Sequence, residues 1–226
     1  MNRTAGVIRT FYTDKTNCFF VPYMILLSSF LVNLVVSFFM DEGYYTGGIS
    51  SIHIFMFVLG ILFSVQSFPL VLGFGARRKD FFAGTVLAFL MLSVVNSLLL
   101  VVLGAIEQAS GGWGQELHFF HLPYMNDGNV LVQFWVQLTL MTHLFFSGFV
   151  IAAVYRRFGR IGVWLLSLLL FVAGTVGVLL LTYYEAWTKV WNWFDGYTAG
   201  EAASLLWVLT LLYLGIAYLL FRRTTV

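Results

Sequence analysis

Ile161-Gly-Val-Trp164-Leu-Leu-Ser-Leu-Leu-Leu-Phe171-Val-Ala-Gly174-Thr-Val-Gly177-Val-Leu-Leu-Leu-Thr-Tyr-Tyr184 runs for 24 residues without a single Asp, Glu, Lys or Arg. A helix rises 1.5 Å per residue, so about 20 apolar residues cross a hydrocarbon core of about 30 Å. One charge at the centre of such a helix costs about 2.5–3.5 kcal/mol on insertion. A charge-free run of this length therefore reads as a membrane span. Five further stretches have the same property: Phe19–Met40, Ile52–Gly75, Phe82–Ile106, Val130–Tyr155 and Ala202–Phe221. The runs are continuous rather than alternating, which favours helices over barrel strands. Pro69, near the end of the second, predicts a kink or early unwinding there.

Composition agrees. Of the 226 residues 60% are hydrophobic and 10% charged, and mean hydropathy is +0.89, against about 25% charged residues in a soluble domain. This balance excludes a disordered chain, a disulfide scaffold and a nucleic-acid-binding domain. The single cysteine, Cys18, allows no intrachain disulfide.

The charges are unevenly placed. Arg3, Arg9 and Lys15 precede the first span. Arg77, Arg78 and Lys79 follow the second, Arg156, Arg157 and Arg160 follow the fourth, and Arg222 and Arg223 follow the last. Lys189 is alone in the other connections, while eight of the ten carboxylates, Asp41, Glu42, Glu107, Glu116, Asp127, Glu185, Asp195 and Glu201, fall on its side. The excess of Lys and Arg predicts that both termini are cytoplasmic. The first apolar run is too long for a signal peptide, with no small-residue cleavage site after it. No lipidation motif, internal repeat or linker is present. The expectation is one membrane domain over residues 1–226, all-α, with six transmembrane helices.

Three connections carry patterns of their own. Val7, Ile8, Phe11 and Tyr12 recur at helical spacing, with charged residues elsewhere, which suits an amphipathic helix on the cytoplasmic leaflet. Trp187, Trp191 and Phe194 recur at i, i+4, i+7, predicting an amphipathic helix between spans five and six at the outer interface. An ordinary aromatic belt would use the same residues. The longest connection, Glu107–Asn129, holds Gly111, Gly112, Gly114, His118 and His121. His118 and His121 have helical i, i+3 spacing, but a metal needs three or four converging ligands, so a capped loop is the simpler expectation and no metal is assigned.

Chemistry is sparse. The chain has no Gly-Lys dipeptide, hence no P-loop, and no Gly-x-Ser-x-Gly elbow. His143 and Ser147 lie four apart on one span, a spacing that suits a structural hydrogen bond. No catalytic residue is assigned. Without intramembrane carboxylates a proton-coupled pump is disfavoured, so any pumping would draw its energy from a partner. Gln66, Asn96, Gln133, Gln137 and His143 lie at depth. Each reads either as an interhelical hydrogen bond or as part of a polar substrate path. Gly148, Ala152, Gly174 and Gly177 read as close helix packing.

The segment Ser67-Phe-Pro69-Leu-Val-Leu-Gly-Phe74-Gly75-Ala-Arg77-Arg78-Lys79-Asp80-Phe81-Phe82-Ala-Gly84-Thr85, set between spans two and three, resembles the corresponding segment of permease subunits of bacterial type-two ABC exporters. The six-span layout, the amphipathic arm and the outer amphipathic segment are similar to that family too. The resemblance implies a short cytoplasmic coupling helix at Gly75–Phe82, with Arg77, Arg78, Lys79 and Asp80 as polar contacts to a separate ATPase subunit. It implies ATP and Mg in that partner and none in this chain, and two permease copies or related permeases side by side in a bacterial plasma membrane. The exported substrate would be amphipathic: a peptide, antibiotic or lipid-like molecule. The long third connection departs from the short turn of many members. A non-pumping membrane binding module, for immunity, sensing or substrate capture, is the alternative, and an intramembrane enzyme using His143, Ser147 or the His118/His121 pair a third reading.

Overall fold

The computed structural model describes residues 3–40 and 43–224, so Asp41 and Glu42 lie outside the described residues. The elements are α1 (Arg3–Thr13), a π-helical turn (Thr16–Phe20), α2 (Val21–Ser37), β1 (Tyr44–Tyr45), a 3-10 turn (Gly47–Ile49), α3 (Ser50–Gly73), α4 (Arg78–Ser110), β2 (Leu117–His118), α5 (Val130–Tyr183), α6 (Trp187–Asp195) and α7 (Ala199–Arg222). Five of the helical segments are long and apolar enough to cross a membrane. The chain is an all-α, multi-pass membrane protein.

The fourth and fifth apolar runs meet in α5, 54 residues long. Gly159 breaks it, with φ 70° and ψ −159°, a conformation open almost solely to glycine. Val154 and Leu166 line one cleft beside this break, and Tyr155 and Ser167 another. Trp135 of α5 meets Ser204 of α7 and Arg157 meets Arg223, so the first half of α5 runs parallel to α7 and the segment between them must return, which makes the chain bend back on itself at Gly159.

Between helices in lipid, hydrocarbon tails compete equally for apolar side chains. Association therefore depends on close packing and interhelical hydrogen bonds. Both are concentrated where the first half of α5 meets α3 and α7. A Cβ built on Gly60 of α3 would collide with the Phe145 carbonyl of α5, and one on Gly148 with the Phe57 carbonyl of α3. The two glycines let the backbones touch at one crossing. Beside it Phe89 of α4 stacks on Phe145 at 3.4 Å between centroids. Gly174 and Gly177, on the second half of α5, face open space within this chain. That half is exposed along its length, Trp164 and Phe171 among its bulkiest side chains.

One end of the molecule is basic. There α1 docks with Val7 against Gly84 of α4 and Phe11 stacked on Phe63 of α3 at 3.5 Å, leaving Arg3 and Arg9 exposed. The opposite end carries β1, β2 and α6. The two short strands pair in parallel, Tyr44 with Leu117 and Tyr45 with His118.

Candidate functional site

The connection between α3 and α4 is the most compact feature of the basic end. Gly75 adopts φ 82°. Its N–H donates to the Leu72 carbonyl (2.9 Å) and that of Ala76 to the Val71 carbonyl (3.2 Å). These two bonds make a Schellman motif, which closes a helix through a left-handed glycine. The Arg77 backbone is extended, and its N–H donates to Asp80 Oδ2 at 3.1 Å, so Asp80 caps the start of α4. No separate helix lies between α3 and α4 among the described residues. The short coupling helix expected over Gly75–Phe82 is corrected to a four-residue turn, Phe74–Arg77, followed by the first turn of α4. The Schellman closure and the Asp80 cap use the backbone groups that a third helix would need.

The seven residues singled out there divide in two. Phe81 is buried against Phe68 and Phe221, and Phe82 packs on Phe149 and Tyr218. Arg78 Nη1 donates to the Arg222 carbonyl at the end of α7, at 3.2 Å. Gly75, Arg77 and Lys79 face outward, joined by Phe74, which is 82% exposed. Phe74 is the residue that charge-based reasoning passes over: an aromatic side chain on the C-cap, beyond the last core position of α3. A cavity of about 300 Å³, lined by Arg3, Val7, Thr10, Val71, Phe74 and Ala76 among others, joins this turn to α1.

The arginines of the fourth connection are anchored too. Arg157 donates to the Arg223 carbonyl, so together with Arg78 it places positive charge at the negative end of the α7 dipole. Arg156 Nη2 donates to the Val65 carbonyl of α3. Pro69 has no N–H to offer that carbonyl four residues back. Arg156 therefore fills the vacancy that the proline creates and ties the last turns of α3, which stays helical through Pro69 to Gly73, to α5.

The polar residues of the spans sit at separate contacts. Gln137 Oε1 lies 2.9 Å from His53 Nε2, joining α5 to α3. His143 Nδ1 meets Thr210 Oγ1 at 3.1 Å, joining α5 to α7, while Ser147 Oγ turns to the Leu144 carbonyl. Asn96 Oδ1 accepts from the Tyr23 hydroxyl of α2. Gln133 Nε2 donates to the Asn126 carbonyl in the long loop, at 2.8 Å, and Gln66 is exposed. Trp207 Nε1 to Thr139 Oγ1 (2.9 Å) and Trp135 Nε1 to Ser204 Oγ (3.1 Å) add to the α5–α7 seam.

At the opposite end Glu107 organises the loop. Its side chain is fully buried. It accepts from Trp113 Nε1 (2.8 Å) and from the backbone N–H groups of Phe119 (3.0 Å), Phe120 (2.8 Å) and His121 (3.0 Å). Glu107, read from the sequence as one more solvent-side carboxylate, is in fact the centre of the cap. His118 lies in β2 and stacks on Tyr45, so the helical spacing expected of His118 and His121 is not realised. Among the described residues no three His, Cys, Asp or Glu converge as metal ligands. α6 forms where the aromatic periodicity places a helix, with Trp187, Trp191 and Phe194 exposed and Trp187 Nε1 donating to Thr182 Oγ1 at 3.1 Å.

No protein-family model, characterised protein or solved structure matches this chain.

Proposed function

We propose that this chain is the membrane permease subunit of an ATP-driven exporter of the type-two ABC kind. The observation that carries the reading is the turn at the basic end. Phe74, Gly75, Arg77 and Lys79 form an exposed apolar-and-cationic knob on a turn that is itself rigidly closed. A rigid projection at the junction of two spans is what a cytoplasmic ATPase needs in order to move them. Arg78, Arg156 and Arg157 bind the ends of α7 and α3 around it, so a push on the knob would reach α3, α4, α5 and α7 together.

In this reading the bend at Gly159 separates two spans, making six, and both termini are cytoplasmic by the distribution of Lys and Arg. α1 lies along the cytoplasmic leaflet and α6 in the outer one of a bacterial plasma membrane. A second permease, identical or related, covers the exposed second half of α5. The partner ATPases hold ATP and Mg. The permease contributes differential affinity for an amphipathic substrate in its inward- and outward-open states, which is how a distant ATP cycle does work on it. Gln66, Asn96, Gln133, Gln137 and His143 remain the candidates for the substrate path, those now bonded between helices acting by exchanging partners as the helices move.

The test is a mild-detergent pull-down of the tagged chain from its native host, with mass spectrometry and an ATPase assay on the eluate. A stoichiometric P-loop ATPase, lost on Arg77→Glu with Lys79→Glu, is the expected result. A clean monomer or homo-oligomer without ATPase overturns the proposal in favour of a non-pumping binding module.

A further inference from the structure

α2 finds its main partners in α3, the Gly47–Ile49 turn and β2. Between α2 and α4 the protein leaves a cavity of about 330 Å³, lined by Tyr23, Leu26, Leu27, Phe30, Leu103, Trp113 and Phe120. The lining runs along α2 from Tyr23 to Phe30, about 10 Å of helix rise. Its roof is built rather than incidental. Trp113 and Phe120 are fixed by their bonds to Glu107, and Phe30 packs edge-on to Trp113 at 5.5 Å and stacks on Phe120 at 5.7 Å. Leu27, half exposed at the rim, marks the side open to the surroundings of the helix.

The two polar tips on this lining are both spent elsewhere. The Tyr23 hydroxyl donates to Asn96 and the Trp113 indole N–H to Glu107, so the cavity presents carbon alone. Water needs two to four polar partners to stay in such a space and finds none. An empty cavity of this size would forfeit the dispersion contacts of its whole lining. Both helices are spans, so the solvent at the rim is hydrocarbon, and a chain entering past Leu27 recovers those contacts without losing any hydrogen bond.

We propose that the α2–α4 cavity is a binding site for one alkyl chain of a bilayer phospholipid, held under the Trp113–Phe120 roof. The site requires only that α2 and α4 lie in the bilayer, and it is independent of any ATPase partner.

The experiment reconstitutes the full chain in phosphatidylcholine vesicles containing a small fraction of phosphatidylcholine with a photoreactive diazirine on the acyl chain. After irradiation, adducts are mapped by peptide mass spectrometry, with exposed Leu211 and Leu212 of α7 as the reference for ordinary boundary lipid. Leu26 is 4% exposed in all, its face on the cavity included, so an adduct on it reports entry past the rim rather than contact with the outer surface. The expected result is adducts on Leu26 and Leu103 at least as abundant as on the reference helix. In Leu26→Trp, which fills the space, adducts on Leu103 fall several-fold while the reference is unchanged. Adducts confined to exposed helix faces in the wild-type chain, with Leu26 and Leu103 unlabelled, overturn the proposal whatever the variant does.

Discussion

The indole N–H of Trp113 donates to the carboxylate of Glu107 at 2.8 Å, six residues back across a glycine-rich turn. This bond closes a ring of donors on a carboxylate with no exposure to solvent. A buried donor left without an acceptor costs about 1–3 kcal/mol. Glu107→Ala strands four of them, so a loss of about 3–5 kcal/mol is expected. Trp113→Phe keeps an aromatic ring but removes the donor with its bond and the second ring of the indole, and should cost about 1–2 kcal/mol. Thermal unfolding in detergent, with limited proteolysis of residues 111–129, reads both. A Glu107→Ala protein whose loop resists protease as wild type does would contradict the clamp.

Arg156 and Pro69 make a second, independent case, because one creates the need that the other meets. In the wild-type chain Arg156→Ala leaves the Val65 carbonyl without a donor, an expected loss of about 1–3 kcal/mol. Pro69→Ala restores the N–H that would ordinarily serve Val65. In that background Arg156→Ala should cost little. A double-mutant cycle on thermal stability measures the difference as a coupling energy. A cycle that closes with additive costs would mean that Arg156 acts at the surface only.

How far the residues foretell these contacts varies by feature. Apolar run length alone gives α2, α3, α4 and α7 to within a few residues, since lipid leaves the backbone no other solution, whereas the two runs Val130–Tyr155 and Ile161–Tyr184 fall in the single helix α5. The helical periodicity of Val7 and Phe11 locates α1, and that of Trp187, Trp191 and Phe194 locates α6. What stayed hidden were the contacts whose partners lie far apart in sequence. Glu107 looks like any loop acid until the chain returns at Phe119–His121 to surround it. Gln137 looks like a lining residue until His53, 84 positions away, is found at its side. The α3–α4 turn misled in another way. Its basic residues suggest one charged surface, but Arg78 faces the carbonyl end of α7, a partner 144 residues distant.

Gly60 and Gly148 allow a contrast using one kind of substitution. Alanine at either position drives a methyl group into a backbone carbonyl of the facing helix, which cannot move aside as a side-chain tip could. Overpacking of this kind costs about 1–3 kcal/mol, and the upper end is expected. Alanine at Gly174 or Gly177 meets nothing within the chain and should leave its melting temperature unchanged or slightly raised. Melting curves of the four single variants, taken on detergent-solubilised monomer, test the pattern. Equal losses at all four positions would rule out the α3–α5 crossing as the source of the difference.

The charges of the α3–α4 turn separate binding from stability. Arg77 contributes its backbone N–H to the cap on Asp80, and its exposed side chain, like that of Lys79, is free to change sign without disturbing α4. Where this chain acts as the proposed exporter permease, Arg77→Glu with Lys79→Glu should therefore remove a partner ATPase from the purified complex, while leaving stability within about 0.5 kcal/mol of wild type. Arg78→Glu does the opposite. It sets a carboxylate against the carbonyl end of α7, where the helix dipole repels it, and should lower stability by about 0.5–1 kcal/mol with partner binding largely kept. Retention of the ATPase and thermal melting, measured on the same preparations, resolve the two effects. If the double reversal still carries its ATPase, the exposed knob is not the docking surface, and Arg77 and Lys79 serve only to hold this end of the chain on the cytoplasmic side.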